Sequence, residues 1–196
     1  MGVVTALQND PEGEDRIKVR LPRISDADEG TWARIATLDA GDGRGTFFRP
    51  EIGDEVVVGF LDDDPRHPIV LGMCHSSAKP APEPAKDANH RKGYVSREKM
   101  RLVFDDEKKS VVLETPGGNR MTLSDDGKGI VLEDRNGNTI ALDENGISIK
   151  SAKDLTLSAA NSVKIAGTAG AEVSGANTTI KGSATTVIKG GVVQIN

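Results

Sequence analysis

Large core-forming side chains are scarce in this chain. Of its 196 residues only 3% are aromatic and 36% are hydrophobic, and every aromatic residue lies before residue 105. From Ser151 onward there is no aromatic residue, proline, arginine or histidine. Such a composition is typical of disorder, because little apolar surface offsets the conformational entropy lost on folding. The uneven distribution predicts two parts that are stabilised in different ways.

Other absences exclude whole classes of protein. Cys74 is the single cysteine, which excludes an intramolecular disulfide framework and a multi-cysteine metal site. The longest apolar runs, such as VVVGF at 56–60, have the length of a strand, so no transmembrane helix is predicted. The formal net charge of −5 opposes a phosphate backbone as the main partner. The start of the chain lacks a basic region followed by an apolar stretch, so no cleaved leader is expected.

The segment 1–78 shows the pattern of short β-strands. RIKVRLP (16–22) alternates apolar and charged residues, and TWARIATL (31–38), EVVVGFL (55–61) and HPIVLGMC (67–74) are further strand candidates. Turn-forming residues separate them. Four or five short strands without a helical period predict a small OB-like barrel over 1–78. The segment 79–98 begins with a stretch rich in proline, alanine and charge, and is predicted to be a linker.

Beyond the linker, pairs of apolar residues separated by one position recur along the chain. Their second members advance in steps of about nine or ten positions up to Leu142 and of about seven or eight thereafter, the spacing of a short structural repeat. The twelve pairs are Leu102/Phe104, Val111/Leu113, Met121/Leu123, Ile130/Leu132, Ile140/Leu142, Ile147/Ile149, Leu155/Leu157, Val163/Ile165, Ala171/Val173, Thr178/Ile180, Thr186/Ile188 and Val193/Ile195. Residues i and i+2 of a strand point the same way, so each repeat indicates one strand and one turn with two inward side chains.

A repeat of about eight positions is too short for a single-chain β-helix, whose coils need roughly 18 to 25 residues. Three chains, each supplying one face per level, would close a prism and leave no sheet edge along its length. The predicted fold is therefore all-β, with the barrel followed by an intertwined homotrimeric triple-stranded β-helix over 99–196. A disordered tail is the alternative. The predicted trimer core includes Leu155, Leu157, Val163, Ile165, Val173, Ile180 and Ile188.

Four stretches carry a family resemblance: MGVVTALQNDPEGEDRIKVRLP (1–22), FRPEIGDEVVVGFLDDDPRHPIVLG (48–72), REKMRLVFDDEKKSVVLETPGGNRMTLSDD (97–126) and the terminal VVQIN. They resemble VgrG-type spike proteins of type VI secretion systems and related phage-tail-like injection particles. The resemblance implies an OB barrel that leads into a trimeric β-helix, which caps the tube of a contractile apparatus and is driven through the target envelope. The hub domain that usually precedes the barrel in this family is not part of the resemblance.

The same resemblance implies partners at both ends. Val192, Val193, Ile195 and Asn196 would lie nearest a PAAR-repeat cap protein or effector, and the barrel end would face a tube, hub or baseplate protein. The protein would be made in the bacterial cytoplasm, assembled into the apparatus and delivered through it toward a target membrane. Some phage spikes hold iron in a histidine cluster at the tip. Here His67, His75 and His90 all precede the prism, so no metal or cofactor is expected.

No catalytic constellation is predicted, so the chain is expected not to be an enzyme. Cys74 and His75 are strand neighbours that point to opposite faces, which disfavours a nucleophile–base pair. The stretch 134–145 begins like a calcium loop, but Thr139 and Asn145 occupy the positions of its glycine and glutamate.

Two other functions stay open from the sequence. One is nucleic-acid binding by the barrel, with Arg44, Phe47, Phe48 and Arg49 as a candidate platform, although the acidic balance opposes it. The other is a static trimeric stalk, as in a fibre or adhesin.

Overall fold

The computed structural model describes residues 1–22, 29–127 and 129–194. Among these residues it contains fourteen β-strands and a single 3₁₀ turn, so the predicted all-β class is confirmed. The chain divides into two compact units, Met1–Glu107 and Lys108–Asn196. No helix in the described ranges is long and apolar enough to span a bilayer.

The first unit contains nine strands. They are β1 (Gly2–Ala6), β2 (Ile17–Arg20), β3 (Thr31–Ile35), β4 (Ala40–Gly41), β5 (Arg44–Gly45), β6 (Glu55–Phe60), β7 (Pro68–Met73), β8 (Arg91–Val95) and β9 (Arg101–Asp105). Five of them close into a barrel in the order β1-β2-β3-β7-β6. The β3–β7 pair is parallel, and the β1–β2, β2–β3, β1–β6 and β6–β7 pairs are antiparallel. The predicted five-stranded OB-like barrel is thus confirmed.

Alternating side chains fill the barrel. The inward residues Val4, Ile17, Val19, Ala33, Val56 and Val70 are at most 1% exposed. Their neighbours in sequence, such as Lys18 between Ile17 and Val19, point outward, as the period of two requires. The run Asp62–Asp64 lies in the turn between β6 and β7, where the Asp64 carboxylate accepts hydrogen bonds from the Arg66 guanidinium.

The connection between barrel and β8 is tied down by polar contacts, although its composition predicted a linker over 79–98. The Lys79 ammonium donates to the Gly53 carbonyl at 2.7 Å and to the Asp54 carboxylate at 2.8 Å. The Glu83 carboxylate pairs with Arg91 at 2.9 Å and also with Arg101. Residues 91–95 of the predicted linker form β8. The linker was predicted from its proline, alanine and charge content, and composition does not reveal which distant charges will meet.

The second unit contains a meander of five strands. They are β10 (Ser110–Glu114), β11 (Arg120–Ser124), β12 (Gly129–Glu133), β13 (Thr139–Asp143) and β14 (Gly146–Lys150), and each is antiparallel to the next. After β14, the described residues of 151–194 belong to no helix or strand. The apolar pairs between 111 and 149 therefore lie on hairpins of one chain, whereas the later pairs, as far as residue 194, have no strand partner within it. The predicted domain boundaries at 78 and 98 remain predictions.

Candidate trimerisation surface

One face of the meander is almost wholly apolar. The apolar pairs lie opposite one another across successive strands, as Leu113 does to Met121 and Met121 to Leu132. Directly opposed residues in an antiparallel ladder share a face. We call this face the meander face; it comprises Val111, Leu113, Met121, Leu123, Ile130, Leu132, Ile140, Leu142, Ile147 and Ile149.

The meander face is not covered by its own chain. Met121 and Ile130 are each 37% exposed, Leu113 is 52% exposed, and Ile147 at the far edge is 73% exposed. A contiguous exposed apolar surface across five strands is the kind of patch that marks an interaction site. The meander face is therefore suited to pack against another apolar surface.

A hydrogen-bonded turn holds the end of the meander from which the chain departs. The Asp134 carboxylate accepts two hydrogen bonds from Asn138 and two from Asn136, at 2.8 to 2.9 Å. These donors, those of Asn138 first, lower the pKa of Asp134 to about 2. The Asn138 side-chain oxygen in turn accepts from the Ala152 amide at 2.8 Å and from the Ser151 hydroxyl. Asp134 and Asn138 thus fix the direction in which the chain from Ser151 onward leaves the sheet.

The repeat predicted a turn between Leu132 and Ile140, but not the hydrogen bonds that hold it. The stretch was compared with a calcium loop, and the structure shows the Asp134 oxygens engaged by amide donors instead. The signal was present as Asp-x-Asn-Gly-Asn at 134–138, because Asp and Asn side chains readily bond to the backbone two positions on. Within the described ranges, no three His, Cys, Asp or Glu side chains are grouped so that they could hold a metal ion.

We call residues 151–196, which follow β14, the distal segment. Its predicted core residues are exposed in the single chain. Their exposures range from 54% for Val163 to 76% for Val173. The full set is Leu155, Leu157, Val163, Ile165, Val173, Ile180 and Ile188. The rest of the chain thus leaves these side chains open, and their place in a trimer core stays a prediction.

The predicted cap-binding residues lie partly outside the described ranges. Val192 is 88% exposed and Val193 is 51% exposed. Ile195 and Asn196 lie outside the described residues. The assignment of these four residues to a cap-binding tip is therefore also a prediction.

The candidate nucleic-acid platform on the barrel has little free positive charge. Arg49 pairs with Asp15 at 2.6 Å, and Arg44 pairs with Asp39. The Phe48 ring lies edge-on to Tyr94, with 5.0 Å between the ring centroids. A single-strand-binding groove combines stacking faces with unpaired cations, and here both arginines already have carboxylate partners.

Comparison with known families agrees with the two units. Residues 1–75 match the type VI secretion system and phage-baseplate injector OB domain, and residues 110–196 match the phage baseplate V C-terminal trimerisation domain. The chain thus contains both domains, and together these matches support a VgrG-type spike protein. The meander face and the distal segment lie within the stretch that matches the trimerisation domain.

Curated VgrG relatives match part of the chain. Spike protein VgrG4b of Pseudomonas aeruginosa is 33% identical over 93 residues, which is 42% of this chain and 12% of the relative. Spike protein VgrG3 of Vibrio cholerae is 36% identical over 83 residues, or 37% of this chain and 8% of the relative. A third relative, 35% identical over 83 residues (37% of this chain, 8% of the relative), is the actin cross-linking toxin VgrG1 of Vibrio cholerae. The matched region spans about a tenth of each relative's length.

Proposed function

We propose that three copies of this chain form the shaft of a spike at the tip of a contractile injection apparatus, and that the spike punctures the target membrane. The observation that carries the proposal is the uncovered meander face within a domain that matches a trimerisation family. Three such faces turned toward one axis would bury one another's leucine, isoleucine and methionine side chains.

The distal segment would complete the shaft by association. From 151 to 194 it forms no strand in the single chain, yet its apolar pairs return at a short and nearly constant spacing. Pairing with two other copies would supply backbone partners, and the predicted core residues from Leu155 to Ile188 would meet on the axis. Because each level would join all three chains, unfolding would be slow and the spike kinetically stable.

Such a spike needs mechanical resistance and no catalytic step, so the proposed role of this chain is non-enzymatic. We place a PAAR-type cap or effector at the distal end, near Val192, Val193, Ile195 and Asn196. The barrel end would meet a hub, tube or baseplate protein, and delivery out of the cell would occur through the apparatus.

Electron microscopy of injection particles tests the function. Particles from the producing bacterium would be labelled with gold-tagged antibody against the barrel. A spike predicts one cluster of gold at a single end of each particle. Gold on thin filaments that project from the side would instead indicate a fibre-like stalk, and unlabelled particles would contradict both.

The cap proposal has its own test. Val192→Asp should abolish binding of the purified trimer to a PAAR-repeat protein, because a charge would replace an 88% exposed apolar side chain at the contact. Glu172→Gln, further from the tip, serves as the control and should bind normally. Equal binding by both variants would show that Val192 does not contact the cap.

A further inference from the structure

The barrel carries a second uncovered apolar surface. The loop from β3 to β6 contains the small β4–β5 hairpin and presents Leu38, Phe47 and Phe48, which are 95%, 79% and 59% exposed. We call these three residues the loop patch. Two of the three are aromatic, in a chain that has few aromatic side chains, and exposed large apolar side chains that share one loop mark a contact surface.

The loop patch continues onto the β8–β9 hairpin of the same unit. Phe48 lies edge-on to Tyr94, and Tyr94 lies opposite Leu102 in the β8–β9 ladder. Leu102 and Phe104 are two positions apart on β9, so they share a face. Both belong to the series of apolar pairs that continues into the trimerisation domain. An apolar surface therefore extends from the barrel loop to the hairpin that precedes that domain in sequence.

The loop is held in place rather than left free. The Thr46 amide donates to the Asp39 carbonyl at 2.9 Å, and the Ala36 amide donates to the Val70 carbonyl at 2.8 Å. The Thr37 and Thr46 hydroxyls are also hydrogen-bonded to each other. A surface ordered before association loses less conformational entropy when a partner binds.

Most charges around the loop patch are paired. Three ion pairs surround it, Arg34–Glu14 at 2.7 Å, Arg49–Asp15 at 2.6 Å and Arg44–Asp39. The chain as a whole has a formal charge of −5, so copies of it repel wherever acidic surfaces meet. A rim of mostly paired charges around an apolar centre lets a like copy approach at low electrostatic cost. It suits an anionic membrane or nucleic acid poorly, because each of these arginines is already paired.

We propose that a second copy of this chain covers the loop patch, so that the barrels contact one another in the assembled spike. The inference rests on the proposed trimer and extends its interface beyond the trimerisation domain. Once the segment 110–196 joins three chains, the barrels are held at high effective concentration. A patch of three large side chains then suffices, although it would be too small to associate free barrels.

Photo-crosslinking of the purified full-length chain tests this inference. Phe47→p-benzoylphenylalanine places the probe in the loop patch, and Leu38→p-benzoylphenylalanine is a second variant. Leu61→p-benzoylphenylalanine is the matched control, since Leu61 is 47% exposed in the β6–β7 turn. The parallel β3–β7 and antiparallel β6–β7 pairings put that turn at the opposite end of the barrel from the loop.

We expect covalent dimers and trimers from positions 47 and 38 in about tenfold excess over position 61, because the proposed contact fixes the patch against a neighbour. A trimeric mass by light scattering with no excess at 47 and 38 would overturn the inference and leave the proposed function standing. A monomeric mass would overturn both. No other protein is present in this experiment. If the loop patch instead binds a hub or baseplate protein, the chain would be trimeric with no excess crosslinking at positions 47 and 38.

Discussion

Single carboxylates organise the turns of this chain. Asp10 accepts hydrogen bonds from the backbone amides of Glu12, Glu14 and Arg16 and from the Arg16 guanidinium at 2.7 and 2.9 Å. The Arg16 contact, with the backbone donors, holds the pKa of Asp10 well below its usual range. Asp134 has the same role in the second unit, with amides alone as donors. Charge-assisted hydrogen bonds thus fix loops where large apolar side chains are lacking.

Acid should weaken the turn at Asp134. Its pKa falls from 3.8 to about 2 in the folded chain, so its stabilising contribution is complete above about pH 4 and is lost as the pH falls through 2. Asp134→Asn replaces the titrating carboxylate by an amide, which has one acceptor oxygen instead of two. We expect the wild type to melt at a higher temperature than this variant at pH 6, and the gap to shrink toward pH 2. The other carboxylates titrate equally in both proteins. A difference in melting temperature that stays constant with pH would therefore contradict the stabilising role of the Asp134 carboxylate.

A charge at Ile165 should destabilise the protein far more than a charge at the neighbouring residue Ala166. If Ile165 faces the three-fold axis, Ile165→Asp brings three carboxylates together in an apolar core, at several kcal/mol per unpaired ion. We expect loss of the trimer or a fall in Tm of about 10 °C or more. Ala166→Asp adds the same charge at the alternate, outward position and should retain trimer mass and Tm. Similar behaviour of the two variants would show that the inward assignment is wrong.

At the scale of the strand, alternation of apolar and polar residues in the sequence predicted which side chains share a face. Ile17 and Val19 face the barrel core, and the pair Ile130/Leu132 lies on one strand, because side chains two apart share a face. Strand β8 was missed because its sequence RKGYV has little alternation. It forms a strand because it pairs with β9. In this pairing, a Cβ atom added to Gly93 would lie 2.4 Å from the Leu102 carbonyl oxygen. Only glycine permits that approach.

The period predicted strands and turns, and pairing among three chains was expected for all of them over 99–196. A spacing of about nine or ten positions fits a hairpin repeat within one chain as well as one face of a three-chain prism. The structure assigns the segment from 110 to 150 to hairpins. What distinguishes the two arrangements is the pairing of distant backbone groups, which no local pattern encodes.

Two glycines test the packing of the meander. Gly129 and Gly137 have similar positive φ values, 84° and 88°, so alanine should cost each about 1 to 2 kcal/mol in backbone strain. At Gly129 the new Cβ would also lie 2.2 Å from the Leu142 carbonyl oxygen, whereas Gly137 has open space. Gly129→Ala should therefore lower the free energy of unfolding by more than Gly137→Ala, as measured by denaturant titration. Equal losses would contradict the close approach of β12 and β13.

At the scale of the whole molecule, the two units are stabilised differently. The barrel has a closed core of side chains at most 1% exposed, whereas no described residue after Glu107 is buried in the single chain. We therefore propose that the second unit depends on association, so its stability should rise with protein concentration. The scarcity of large side chains after Ser151 agrees with this proposal, because small and β-branched residues would suffice where three chains share one axis. The repeat in the sequence predicted the association, but the exposure of side chains does not define which strands would pair.

The mass of the purified chain in solution, measured by light scattering after size exclusion, tests the central claim most directly. Three chains of 20.7 kDa should elute as one particle with three times that mass. The same mass should persist on dilution if the chains are intertwined, because their separation requires unfolding. A particle of 20.7 kDa at all concentrations would contradict the trimer, and the proposed spike with it.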